Sequence, residues 1–298
     1  MKSHMRFFVL FFSLGLFIAG CGSDAPESAP SATNAIELAP TEIESASSAD
    51  PTSEPAATES EPKGPMRVGV YGGSVPPLTI TDGDTYSGFE IELATEIIAR
   101  LRGADAQIEW VPIEAPDRFS SLATGRIDML VRATLHTVSR EEQALFSGGY
   151  LLSGNSFLVF KDAGFSSVED FDGKNIGLRP HMVDRLIEVA DAHGYTFNAR
   201  VFEELTSALG RAHAIFDDWV FLIGFMDPAV QALIVDGSFL GPIGIAFPLG
   251  EEDFRDEVNG VLSDMIADGT WQSLFDKWFG IEVPWNVEEM FAWPAVDR

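Results

Sequence analysis

The chain has 298 residues, and its 46 Asp and Glu residues outnumber its 19 Lys and Arg residues, giving a formal net charge of -27. A protein this acidic is poorly suited to binding nucleic acid or an anionic membrane surface by electrostatic attraction. It contains a single cysteine, Cys21, which excludes an intramolecular disulfide framework.

The first 21 residues have the pattern of a secretory signal. Lys2 and Arg6 precede an apolar run that is shorter than the roughly 20 residues of a transmembrane helix. The run ends in Ile18-Ala19-Gly20-Cys21, which resembles the lipobox of bacterial lipoproteins. Residues 1–21 are therefore predicted to be a lipoprotein signal peptide, with Cys21 lipidated. The alternative is a cysteine that happens to end a cleaved signal.

Residues 22–65 consist mainly of Ser, Ala, Pro, Glu and Thr and contain no aromatic residue. Such a segment cannot bury enough apolar surface to offset the entropy lost on ordering. It is predicted to be a disordered tether. The composition changes at Met66, and all six Trp residues lie beyond it.

The folded part begins with a β-branched run, Met66–Tyr71, which predicts a buried strand. From Phe89 to Leu101, apolar residues recur every four positions and predict a helix. Strand and helix then alternate, which is typical of a mostly parallel sheet covered by helices. The remaining predicted elements are strands at 108–112, 127–131 and 243–247, short and longer helices at 118–123, 253–267 and 271–278, and a second strand and helix series over 175–216.

The chain forms one predicted α/β series, then a second, and then returns to the first. This order predicts two lobes joined by two connections. Residues 66–155 and 243–298 are expected to form lobe one, and residues 156–242 lobe two. The tail from Ile281 to Arg298 is expected to pack on lobe one.

Three sequence blocks within residues 66–282 resemble a known family. They are 87–94 (SGFEIELA), 118–128 with 134–140, and 244–247 with 268–280. They are similar to the extracytoplasmic solute-binding proteins of polar amino-acid ABC importers. The resemblance implies a type II periplasmic-binding-protein-like fold, with the ligand cleft between the lobes. It also implies a lipid-anchored monomer that delivers an amino acid or related solute to an ABC permease, without a cofactor, a metal or a catalytic residue.

An α-amino acid presents a carboxylate and an ammonium, so its site needs a planar cation facing a carboxylate. Arg140 follows a predicted strand and is the expected partner of the ligand carboxylate; the alternative is a surface arginine paired with Glu141 or Glu142. Asp218 is the expected partner of the ammonium by its similarity to the family motif. Asp217 is its rival, and both also suit the N-cap of a helix starting near Trp219.

The departures from the family pattern concern the rest of the pocket. Val75 precedes Pro76-Pro77 where an aromatic residue is often found, and Leu135 stands where a hydroxyl is usual. We therefore expect an apolar ligand side chain. The other candidate ligand-binding residues are Tyr71, Arg118, Thr134, Thr137 and Met182.

Two other functions share this fold class. A cyclohexadienyl dehydratase-like enzyme would need an acid in the cleft to assist the loss of water. A tethered sensor would bind its ligand and dock on a signalling receptor. Fold alone does not separate these functions from transport.

Overall fold

The computed structural model describes residues 64–281 and 285–297. The signal peptide predicted at 1–21, with Cys21, and nearly all of the predicted tether lie outside the described residues. Within them, no helix has the length and apolar character needed to cross a membrane.

The first half of the described chain alternates strands and helices. Its elements are β1 (Met66–Tyr71), β2 (Ile80–Asp82), β3 (Thr85–Ser87), α1 (Phe89–Arg102), β4 (Ile108–Ile113), α2 (Arg118–Ala123), β5 (Met129–Leu135), α3 (Val138–Glu141), β6 (Leu145–Phe146) and β7 (Leu151–Phe160).

The second half continues the alternation and ends in three helices. Its elements are β8 (Asn175–Leu178), α4 (Val183–His193), β9 (Asn198–Val201), β10 (Ala214–Asp218), α5 (Trp219–Leu222), β11 (Gln231–Phe247), α6 (Glu252–Ala267), α7 (Thr270–Phe279) and α8 (Val287–Phe291).

Nine of the strands in the described part form one continuous sheet, with the order β4-β1-β5-β11-β7-β10-β8-β9 and β6 paired to β11. β1 runs parallel to β4 and β5, and β8 runs parallel to β9 and β10. The long strands β7 and β11 pair antiparallel between these two groups. Their register shifts between Val235 and Leu240, so the sheet is irregular at the junction of its halves.

Separate apolar clusters lie against the two halves of the sheet. The larger cluster combines β1, β5 and the start of β7 with α1, α6 and α7, and its centre is Phe89, whose ring contacts Trp271, Phe275 and Phe279. A smaller cluster packs the end of β7, β8 and β10 against α4. Trp219 belongs to the larger cluster although it lies within the range expected for lobe two. Its indole N–H donates to the Leu152 carbonyl at 2.7 Å.

Most of the predicted elements are present with close bounds, among them β1 and α2, whose bounds match. Two strand predictions were wrong in extent. The strand predicted at 127–131 is Met129–Leu135, because pairing of Thr134 and Leu135 with β11 carries it through polar residues. The strand predicted at 243–247 begins at Gln231. The segment between Val235 and Leu240 contains Asp and Gly, which suggest a turn, but pairing with β7 continues on both sides of it.

The aromatic residues of the tail pack against the larger apolar cluster. Trp285, Phe291 and Trp293 contact the larger cluster. The Trp285 ring lies 5.4 Å from that of Trp219, measured between centroids. The tail thus contacts the larger cluster beside Trp219, the first residue of α5.

Candidate functional site

A cavity of about 740 Å³ lies where the two halves of the sheet face each other. Tyr71 and Leu135 end β1 and β5 on one side, and Asp218 ends β10 on the other. Ligands of open α/β sheets bind at these carboxyl ends of parallel strands. The lining residues are Tyr71, Val75, Ala115, Arg118, Arg132, Ala133, Leu135, Thr137, Ser139, Arg140, Ser153, Arg179, His181, Arg185, Asp218 and Phe221.

Arg140 lies in α3 and lines the cavity with a half-buried side chain. Its Nη1 donates to the Leu135 carbonyl at 2.6 Å, which fixes one edge of the guanidinium. Glu141 instead accepts from His136 Nε2 at 2.8 Å. Burial lowers the pKa of Arg140, although the group stays cationic at neutral pH. The side chain is therefore placed to receive an anion.

Asp217 and Asp218 have different partners at the end of β10. Asp217 is fully buried and accepts hydrogen bonds from Nε and Nη2 of Arg179, both at 2.8 Å. Asp218 caps α5, where its Oδ1 accepts from the Val220 amide at 3.3 Å. Asp218 also lines the cavity, and its Oδ2 accepts from the Ser153 hydroxyl. Burial raises the pKa of Asp218 to about 6, so its carboxylate is mostly ionised at pH 7.

Arg132 and Arg118 add cationic charge beside Arg140. The Arg132 guanidinium lies 4.2 Å from the centre of the Tyr71 ring, a cation–π geometry. Its Nε and Nη1, and the Nε of Arg118, are buried and have no hydrogen-bond acceptor among the described residues. Burial, followed by the charges of Arg132 and Arg140, lowers the pKa of Arg118 to about 10. The guanidinium of Arg118 is thus close enough to those of Arg132 and Arg140 to be repelled by both.

A buried acid supports the floor of the cavity. The Glu90 carboxyl accepts from the Ala133 amide at 2.6 Å and from the Tyr150 hydroxyl. Ala133 has a φ of 36°, in the left-handed region that favours glycine, so the bond to Glu90 helps to hold a strained backbone. Burial raises the pKa of Glu90 to about 7.

Comparison with known proteins identifies the family. Residues 66–281 match the model of the bacterial extracellular solute-binding proteins, family 3. The chain belongs to this family. The resemblance read from the three sequence blocks is thereby confirmed, and the protein is extracytoplasmic.

Individual relatives of this solute-binding protein agree with that membership. It is 27% identical to the L-cystine-binding protein TcyJ of Escherichia coli (strain K12), over 74% of this chain and 85% of TcyJ. It is 26% identical to the ABC transporter glutamine-binding protein GlnH of Bacillus subtilis (strain 168), over 64% of this chain and 72% of GlnH. An ancestral cationic amino-acid solute-binding protein, AncCDT-1, superposes with a TM-score of 0.63 at 26% identity, over 72% of this chain and 96% of that one. The fold is the two-lobed type II fold, and each of these three relatives is a binding protein.

The structure of this solute-binding protein brings most of the predicted site residues together. Seven of them line the cavity: Tyr71, Val75, Arg118, Leu135, Thr137, Arg140 and Asp218.

Two of the predicted residues lie outside the lining. The Thr134 side chain is fully buried and donates to the Arg132 carbonyl at 3.1 Å. Met182 is buried in the smaller cluster. Neither residue is part of the cavity lining.

The sequence did not single out Arg132, Ser153 or Arg185 as lining residues. The only signal for Arg132 was a charged residue inside an apolar strand pattern, which the sequence alone does not orient. Within the described part of the chain, no three His, Cys, Asp or Glu side chains are grouped to hold a metal ion.

Proposed function

We propose that this protein binds a free amino acid in the cavity between its lobes and delivers it to an ABC permease. The observation that carries this proposal is that Arg140 and Asp218 line one cavity from different halves of the sheet. Arg140 lies in α3, which follows β5, and Asp218 ends β10. Arg140 would receive the α-carboxylate and Asp218 the α-ammonium. The named relatives bind cystine, glutamine or cationic amino acids, and all of these ligands share that pair of groups.

The remaining predicted residues would shape and complete the site. Thr137 places its hydroxyl 3.1 Å from that of Ser139 at the start of α3, beside Arg140. Leu135 and Val75 would contact the aliphatic part of the ligand. Thr134 and Met182, being buried outside the lining, would keep the cavity walls in place.

A thermal-shift panel tests the amino-acid assignment. A ligand that binds only the folded state stabilises it by about 2.7 kcal/mol at 100 times its Kd, which corresponds to a rise in melting temperature of roughly 5–10 °C for a domain of this size. The panel should contain the twenty amino acids, with matched amines and carboxylic acids that lack one of the two groups. We expect stabilisation by at least one amino acid and none by its decarboxylated amine. A panel in which no amino acid shifts the transition would contradict the proposal.

The anchoring at Cys21 is a separate proposal. The sole thiol of the chain follows Ile18-Ala19-Gly20, so a diacylated Cys21 would tether the domain to the membrane through residues 22–65. Cys21→Ser should release the protein into the soluble fraction and abolish its labelling by a radioactive fatty acid. If the wild-type protein is itself soluble and unlabelled, the lipoprotein assignment is wrong.

A further inference from the structure

The charges of the cavity do not suit a ligand with an apolar side chain. Five arginines line the cavity, yet Asp218 is the one acidic residue among the lining residues of the described chain. Arg179 is neutralised by its bidentate pair with Asp217. Four guanidinium groups therefore face one carboxylate, in a protein whose net charge is -27. A zwitterion with an apolar side chain adds no net charge and would leave this excess uncompensated.

Arg132 is the one buried arginine among these four in the described lining, with 7% of its surface exposed. Its Nε and Nη1 are buried without a hydrogen-bond partner in the described part of the chain. The Tyr71 ring packs against the face of its guanidinium. Leaving buried charged donors unpaired is costly. Arg118 shares this environment, since its buried Nε also lacks an acceptor.

The buried Glu90 attracts Arg132 electrostatically, but it accepts no hydrogen bond from the buried Nε or Nη1 of that arginine. Glu90 lies behind Ala133, and its Oε1 accepts from the Ala133 amide and the Tyr150 hydroxyl. Its pKa of about 7 means that it carries only part of a negative charge at neutral pH. An anionic group in the cavity would both neutralise Arg132 and accept its free N–H groups.

We propose that the ligand is an acidic amino acid, whose side-chain carboxylate is received by Arg132 and Arg118 while Arg140 and Asp218 hold its α-carboxylate and ammonium. This inference rests on the proposed function and replaces the apolar side chain expected from Leu135 and Val75. These two residues would instead contact the methylene groups of the ligand. The planar guanidinium suits a carboxylate because it can donate two parallel hydrogen bonds.

Isothermal titration at pH 7.5 with two pairs of isosteric amino acids tests the side-chain assignment. The pairs are glutamate with glutamine and aspartate with asparagine; leucine and glutarate complete the set. At least one acid should bind more tightly than its amide by roughly 10-fold or more, because hydrogen bonds to charged groups are worth about 1.5–3 kcal/mol. Arg132→Gln and Arg118→Gln should each weaken binding of that acid by roughly 10- to 100-fold. Their effect on the amide should be much smaller.

Arg200→Gln is the matched control, because Arg200 lies in the exposed strand β9 outside the cavity lining. It should leave both affinities unchanged. Tighter binding of the amides or of leucine by the wild-type protein would overturn the inference and leave the proposed function standing. So would a preference for the acid that survives both Arg132→Gln and Arg118→Gln. If no amino acid binds, whether or not glutarate does, the proposed function fails and the inference fails with it.

Discussion

Asp217 and Asp218 are adjacent in the chain, but only one of them is free to meet a ligand cation. Asp217 is committed to Arg179 through two hydrogen bonds of 2.8 Å. Asp218 is held by the Ser153 hydroxyl and by backbone amides, all of them neutral donors, so no guanidinium of the described chain donates to it as Arg179 does to Asp217. Strand alternation separates the two side chains, since successive residues of β10 point to opposite faces of the sheet.

The raised pKa of Asp218 predicts a pH dependence of ligand affinity. A ligand ammonium pairs with the ionised carboxylate, so binding must release a proton once the pH falls below the pKa of about 6 in the free protein. Between pH 7.5 and pH 5 the apparent Kd should therefore rise by about tenfold. Asp218→Asn should bind weakly at both values and lose this part of the dependence. Any dependence that remains would report Glu90, whose pKa is about 7, or His181, which lines the cavity and whose pKa is lowered by burial.

The presence of Arg140, Asp218 and Arg118 in the cavity lining could be predicted from the sequence, whereas that of Arg132 could not. Arg140 and Asp218 lie within motifs at the ends of strands, where backbone geometry places side chains at one edge of the sheet. Arg132 lies inside β5, and its inward orientation depends on the Tyr71 ring from β1, a contact that only the folded structure provides. The ion pair of Arg179 with Asp217 likewise joins β10 to the end of β8.

At the level of elements, a close approach of backbones joins the two halves beside the cavity. A Cβ added to Gly224, in the turn after α5, would overlap the carbonyl oxygen of Pro76. Pro76 belongs to the loop that follows β1 and carries Val75. The two halves can approach this closely because residue 224 has no side chain.

Gly224→Ala should therefore hinder closure over the ligand without altering the cavity lining. We expect ligand affinity to fall by roughly tenfold or more, since an overlap of this kind typically costs 1–3 kcal/mol. Small-angle scattering should show a smaller decrease in the radius of gyration on ligand binding than in the wild-type protein. Gly260→Ala is the matched control, because an added Cβ there meets nothing within 4 Å. Equal affinity and equal compaction in both variants would show that Gly224 does not limit closure.

Periodicity predicted the helices better than the long strands for a physical reason. The face of α1 that carries Phe89, Leu93 and Ile97 is fully buried, as its spacing indicated. β11 passes from one half of the sheet to the other, so its neighbours change along its length and its burial follows no single period. Its register shift after Val235 is set by pairing with β7, to which the local sequence gives no clue.

For the whole molecule, the two parallel groups of strands are joined through β7 and β11, and the cavity lies at that junction. Trp219 ties the junction to the larger cluster through its bond to the Leu152 carbonyl and its contacts with Phe279 and Trp285. It immediately follows Asp218 in the chain. Movement of one half against the other would thus change the position of Asp218 directly.

Titration of Arg140→Ala tests the central claim, binding of an amino acid between Arg140 and Asp218, most directly. The tightest ligand of the wild-type protein should be measured against the variant by isothermal titration, with Arg200→Ala as the exposed control. Removing one partner of a buried, hydrogen-bonded ion pair costs about 3–5 kcal/mol, so the affinity should fall by about 100-fold or more while the control is unchanged. Binding that survives Arg140→Ala with its affinity intact would contradict the account.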